Sequence, residues 1–203
     1  MRRDAQGAKL QAQNTRDHLL QVGLRRIHSM GYASTGIKEI LDDADVPKGS
    51  FYHYFRSKEA FTEEVLKLYV QGEVERCEKI FSDGSVAPLK RLRRYFEELI
   101  RVYGQTAPVS GCMLGNLSLE MADRSEPLQS LLHLSFAGWQ TAIARVLREA
   151  VVRGDLLKSS KPEELASFLI NSYEGALVRS KADRSNKALE NFLHFAFNVL
   201  LKG

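Results

Sequence analysis

Between Lys48 and Tyr54 the chain reads KGSFYHY, and five of these side chains, Lys48, Ser50, Tyr52, His53 and Tyr54, carry groups suited to nucleic acid. An ammonium can reach guanine O6 and N7, hydroxyls and imidazole can bond phosphate oxygens, and glycine lets a backbone approach closely. No acidic residue interrupts the stretch. At about 100° per residue, Phe51 and Phe55 share a stripe with Pro47, while Gly49 and His53 lie opposite, flanked by Ser50 and Tyr52, with Lys48 and Tyr54 at the margins. The phenylalanines should anchor a short helix whose polar face looks outward.

The remaining chemistry is sparse. Five histidines, His18, His28, His53, His133 and His194, show no metal-ligand spacing, and neither a G-x-S-x-G elbow nor a phosphate loop occurs. Cys77 and Cys112 form neither a disulfide framework nor a zinc motif, which points to a reduced, cytoplasmic setting without metal or cofactor. A Cys112–His133 thiol hydrolase is the enzymatic alternative. It would leave the Lys48–Tyr54 surface without a purpose. The polar start MRRDAQGAKLQAQN lacks the apolar stretch of a signal peptide, and no run reaches the ~20 apolar residues of a membrane span.

The elements that must position these residues are helical. The chain has 203 residues, 44% of them hydrophobic, with five prolines, enough for one large domain or a small one fused to a medium one. The 3.6-residue period dominates and alternating β-branched runs are nearly absent, so the fold is expected to be all-α. Residues 1–13 read as a flexible arm. A first helix starts near Asn14 or Thr15, follows the stripe Leu19, Leu20, Gly23, Leu24 and Ile27, and stops at Gly31. Ser34 or Thr35 caps a second, with Ile37, Ile40 and Leu41 inward, and the turn Asp42–Asp45 leads to the helix that opens at Pro47. Ser57 caps a fourth, which extends toward Phe81 as a connector. Net charge is +4; residues 1–60 hold 10 basic and 7 acidic residues, so +3 of it falls in the first third. A local basic patch fits better than a polycationic coat.

After the break at Ser82–Ser85, helices are expected over about 89–105, 112–122, 126–153, 162–181 and 186–201, with an interruption at Pro108–Gly111. The last two are apolar over more than one face, through residues such as Phe168, Leu169, Tyr173, Leu177, Phe192, Phe195 and Val199. Such helices need partners on several sides, which suggests a second subunit docked there.

The segment Gly31–Phe61, GYASTGIKEILDDADVPKGSFYHYFRSKEAF, resembles the DNA-binding domain of the TetR family of bacterial transcriptional regulators. It shares the Gly-aromatic turn, the Ser/Thr before the second helix, the Lys-Gly opening of the recognition helix, its aromatic ending and the Ser-Lys-Glu start of the fourth helix. The resemblance implies about nine helices: residues 14–60 as a helix-turn-helix domain, and 61–203 as a domain for dimerisation and ligand binding. It further implies a homodimer on a palindromic operator, most often a repressor released by a small effector.

By position, it assigns DNA contact to Ser34, Thr35, Lys48, Gly49, Ser50, Tyr52, His53, Tyr54 and Lys58, with Lys48 reading a base and Lys58 a phosphate. Where the family often has glycine in the turn, this chain has Asp45, a residue that tolerates the left-handed conformation. In the second half, Ser110–Asn116 and the stretch LVRSKADRS are similar to a subgroup that includes N-ethylmaleimide-responsive and acrylate-responsive regulators. In that subgroup the cysteine can sense electrophiles or oxidants. This implies a sensor at Cys112, assisted by Lys181. A thiol at the start of a short helix is also expected to have a lowered pKa. The effector pocket is expected among Tyr95, Tyr103, Cys112, Asn116, Trp139 and Tyr173, with non-covalent binding as the alternative to modification of Cys112.

Overall fold

The computed structural model describes residues 2–104 and 110–202, with side chains from Asn14 onward. Among these residues it is all helical and contains no strand. The elements are α1 (Arg2–Met30), α2 (Ile37–Ala44), α3 (Lys48–Tyr54), α4 (Lys58–Phe81), α5 (Pro88–Leu99), α6 (Met113–Met121), α7 (Glu126–Arg153), α8 (Pro162–Asp183) and α9 (Lys187–Phe195). Both α5 and α9 end in a widened π-type turn, Ile100–Gly104 and Ala196–Leu200.

Two local expectations need correcting. The first helix begins at Arg2, ahead of the Asn14 or Thr15 start, so residues 2–13 of the expected flexible arm are helical. Ala, Gln, Lys and Arg dominate this stretch, and with no proline to stop it the helix simply continues backward. Nor does Ser34 or Thr35 cap α2. Gly36 holds that position without a side-chain bond, and Thr35, fully buried, donates its hydroxyl to the Gly31 carbonyl at 2.7 Å. Gly31 turns the chain at φ +86°, and Thr35 closes that turn rather than starting the next helix. Glu39 lies back over Gly36 and supplies negative charge at the helix start instead.

Other terminators follow the sequence. Asp45 adopts φ 51° and ψ 46° between α2 and α3. Ser57 caps α4 by accepting from the Ala60 N–H at 3.0 Å, Ser125 caps α7, and Gly154 ends α7 at φ 80°. The segment 105–109, with Pro108, lies outside the described residues.

The N-terminal core joins Leu19, Val22 and Ile27 of α1, Ile40 and Leu41 of α2, Phe51 of α3, and Phe61 and Val65 of α4, all essentially excluded from solvent. The second core gathers α5, α7, α8 and α9 around a ring cluster: Phe96 lies 5.5 Å from Tyr173 and 5.0 Å from Phe192. α4 passes through both. Part of the α8–α9 surface stays uncovered, with Phe168, Val178, Phe195, Val199 and Leu200 exposed.

Candidate functional site

The exposed face of α3 is built from behind. Phe51 is fully buried, with its ring 5.4 Å from Phe55 and 5.2 Å from Phe61, and this aromatic stack fixes the rotation of a seven-residue helix. Lys48, Gly49, Tyr52 and His53 are thereby exposed, with Ser50 and Tyr54 half-buried at the edges. Ser34 is exposed nearby. Thr35 is not, and no ligand can reach it in this conformation. Lys58 folds inward: its ammonium donates to the Tyr32 carbonyl and sits 4.0 Å from the Tyr32 ring centroid. Burial pushes its pKa below the ordinary amine value, opposed by Glu120 and Glu39.

A cavity of about 540 Å³ lies between α4, α5, α6, α7 and α8. Tyr95, Tyr103, Cys112, Trp139 and Tyr173 line it, as the sequence suggests. Asn116 does not. It bonds the Ser110 carbonyl at 2.9 Å, and Lys181 bonds the same oxygen at 3.2 Å, so both brace the loop that delivers Cys112 instead of facing the cavity. Cys77 is an unexpected wall residue; its place on α4 one turn beyond Glu73 was the available signal. The charged groups at the wall are engaged: Tyr103 donates to Glu73, Arg145 to Glu78 at 2.9 Å, and Arg148 to Glu163. By contrast the Tyr173 hydroxyl, on a residue 1% exposed, has no hydrogen-bond partner among the described residues, and the Trp139 N–H approaches the Tyr95 hydroxyl without completing a bond. An apolar chamber with unmet donors suits an uncharged ligand carrying an acceptor oxygen.

Cys112 departs from expectation in its electrostatics. Burial raises its pKa well above the ordinary thiol value and nearby Glu174 adds to the rise, while the Gly115 N–H and the Tyr69 hydroxyl, 3.7 Å from the sulfur, act against it. The helix dipole loses to desolvation, and the resting group is a protonated thiol. Burial likewise pushes Cys77 up to about 12. His133 is exposed on α7 and absent from the cavity wall, so no Cys112–His133 pair is assembled.

Sequence reasoning missed the contacts that join this cavity to the α3 unit. His28 of α1 packs its ring edgewise on Tyr69 and Tyr103, at 5.4 and 5.3 Å, and its Nε2–H donates to the Gly111 carbonyl at 2.7 Å. Glu120 of α6 accepts from the backbone N–H groups of Tyr32 and Ala33, at 3.1 and 2.8 Å. Ser125 donates to Glu59. Gly31 completes the fit, because a Cβ there would lie 2.5 Å from Glu120 Oε1.

Burial holds the His28 pKa below its ordinary 6.5, against the raising effects of Gly111 and Glu73. Between that depressed value and 6.5 the unfolded chain takes up a proton that the folded one refuses, so stability is full above this window and is lost as pH falls through it. Thermal midpoints measured from about pH 7.5 down to about 5.5 are expected to fall more steeply for the wild type than for His28→Gln, which keeps a donor for Gly111. Parallel slopes would mean that another group carries the acid sensitivity.

Comparison with known proteins agrees with this arrangement. Residues 19–65 match the profile described as bacterial regulatory proteins, tetR family, and residues 88–196 match that described as tetracyclin repressor-like, C-terminal domain. The chain is 34% identical over 186 residues to the HTH-type transcriptional repressor DhaR of Mycobacterium sp., covering 92% of each. It is 37% identical over 177 residues to the transcriptional regulator AcuR of Cereibacter sphaeroides, covering 86% of this chain and 80% of that one. The crystal structure of reduced NemR from E. coli superposes with a TM-score of 0.84 at 32% identity, covering 92% of this chain and 96% of that one.

Proposed function

The chain belongs to the TetR family of bacterial transcriptional regulators, and from that premise we infer that it is a homodimeric cytoplasmic repressor released from its operator by a small molecule reaching the Cys112 cavity. It is a DNA-binding regulator and not an enzyme, as its named relatives are. The observation that carries the reading is the acid-free outer face of α3, held in place by buried phenylalanines and tied through His28 and Glu120 to the cavity.

In this reading Lys48 contacts a base, Ser50, Tyr52, His53 and Tyr54 contact phosphates or a thymine methyl, and Ser34 adds a backbone contact. Lys58 joins them when it leaves Tyr32. The reading unit is residues 14–60, and residues 61–203 carry sensing and dimerisation. Dimerisation through α8 and α9 covers the exposed Phe168, Val178, Phe195, Val199 and Leu200 and sets the two α3 helices on successive major grooves, ~34 Å apart. A gel shift with genomic fragments tests this directly. Sequence-selective binding that weakens steeply with salt is expected, and absence of binding at low salt would overturn the reading. Lys48→Ala is expected to lose about 1–3 kcal/mol of operator affinity and to relax discrimination at one base pair. A uniform loss across sequences would make it a phosphate contact.

Covalent release predicts that Cys112→Ser still binds operator but no longer leaves it on treatment with N-ethylmaleimide. The buried, protonated thiol and the unmet Tyr173 hydroxyl favour a second reading, in which the ligand is held without a covalent bond. Unchanged release from Cys112→Ser would select it.

A further inference from the structure

Cys112 needs somewhere to put a proton before it can react, and the wall around it offers few acceptors. His28 is engaged by Gly111, Glu73 by Tyr103 and Arg76, and Glu78 by Arg145. Glu174 on α8 is different. Its Oε1 is buried without a hydrogen-bond partner among the described residues. Its Oε2 lies against the first turn of α6, where a Cβ on Gly115 would be 2.4 Å away, so glycine at that position admits the carboxylate, which reaches the Cys112 thiol. Tyr173, the preceding residue on α8, lines the cavity, and its fully buried hydroxyl has no partner among the described residues.

We propose that Glu174 is the proton acceptor for Cys112 when the thiol adds to an α,β-unsaturated carbonyl compound in the cavity, and that the Tyr173 hydroxyl donates to the carbonyl oxygen as it gains charge. The proposal rests on the electrophile-sensing reading above. The sulfur forms a bond to the β-carbon, the C=C π pair shifts into the bond between the α-carbon and the carbonyl carbon, the C=O π pair moves onto the oxygen, and the S–H proton passes to Glu174. Return of that proton to the α-carbon regenerates the carbonyl and the carboxylate. No oxidant or reductant enters. Tyr69 and the Gly115 N–H, both directed at the sulfur, stabilise its growing negative charge. Burial raises the Glu174 pKa, which brings its basicity closer to the task.

The decisive measurement is the rate of N-ethylmaleimide addition to Cys112 in the full-length protein, followed by peptide mass spectrometry so that Cys77 is resolved separately, across about pH 5.5–9. If Glu174 only suppresses the thiol through its charge, Glu174→Gln lowers the thiol pKa and reacts faster. If it accepts the proton, Glu174→Gln reacts about tenfold or more slowly near neutral pH, and the flat neutral region of the wild-type profile becomes a tenfold rise per pH unit. Gly115→Ala, which displaces the carboxylate without removing it, is expected to slow the reaction in the same sense. Tyr173→Phe should slow maleimide addition yet leave thiol exchange with methyl methanethiosulfonate unaltered, since that reaction forms no enolate. Faster or equal labelling of Glu174→Gln overturns the Glu174 role. Absence of any Cys112 adduct in the wild type overturns the electrophile reading beneath it.

Discussion

Replacing Phe51 by alanine is expected to abolish operator binding while α5–α9 remain folded. A helix of seven residues has no stability of its own in water, so α3 persists only through what it buries. Phe51 is the fully buried side chain of that helix, packed on Phe55 and Phe61. Truncation of such a ring costs about 3–5 kcal/mol, partly as lost transfer energy and partly as the cavity left behind. That is a large share of the stability of a three-helix unit, whereas the ring cluster of Phe96, Tyr173 and Phe192 is untouched. Hydrogen exchange should therefore show protection lost over 48–54 and kept over 162–183, with operator affinity down by a hundredfold or more. Near-normal affinity would mean that DNA contacts, and not Phe51, hold α3 in place.

The second large effect is expected from Glu120→Ala. Its carboxylate takes both N–H groups at the turn after α1, and charge-assisted bonds of this kind contribute about 1.5–3 kcal/mol each. The same turn receives Lys58, so removal of Glu120 also strips the neighbouring ammonium of an opposing charge. Operator affinity without effector should change only a few-fold, because Glu120 lies on α6, away from the outer face of α3. The ratio of affinities before and after N-ethylmaleimide treatment should instead fall toward one, by about tenfold, the size of a typical coupling energy. An unaltered ratio would route the signal through α4 or the His28–Gly111 contact instead.

The sequence carried the architecture because each local signal has a short-range cause. Ser57 caps, Gly31 and Gly154 terminate, Asp45 turns, and Phe51 and Phe55 repeat at four residues; all are read within one helical turn. What it hid depends on long-range geometry. Thr35 is followed by a helix, and nothing local says that its hydroxyl is already taken by Gly31. Lys181 and Asn116 share chemistry suited to a sensor, yet both are held by one carbonyl outside the cavity. The acidity of Cys112 misleads for the same reason: the helix start is visible in the sequence, whereas burial and the Glu174 carboxylate arrive from 62 positions away. His28 and Glu120 join residues more than 80 positions apart, and their types alone gave no hint of it.

The far end of α4 is fastened. The buried Arg91 donates to the Phe81 carbonyl and to Glu149, and Arg145 ties Glu78. The near end is packed through Phe61 and Val65 into the N-terminal core, and beyond that core only a few polar contacts, such as Ser125 to Glu59, hold it. With 24 residues at ~1.5 Å each, the helix spans roughly 36 Å, and in the proposed release it would act as a lever with its fulcrum at Phe81. Tyr69, which lines the cavity, sits halfway along, so each ångström of displacement there would become about two at Lys58. A hydrogen bond to a base fails within that distance. In the proposed release, this mechanical advantage is what would let a ligand a few atoms across disengage a reading head it never touches.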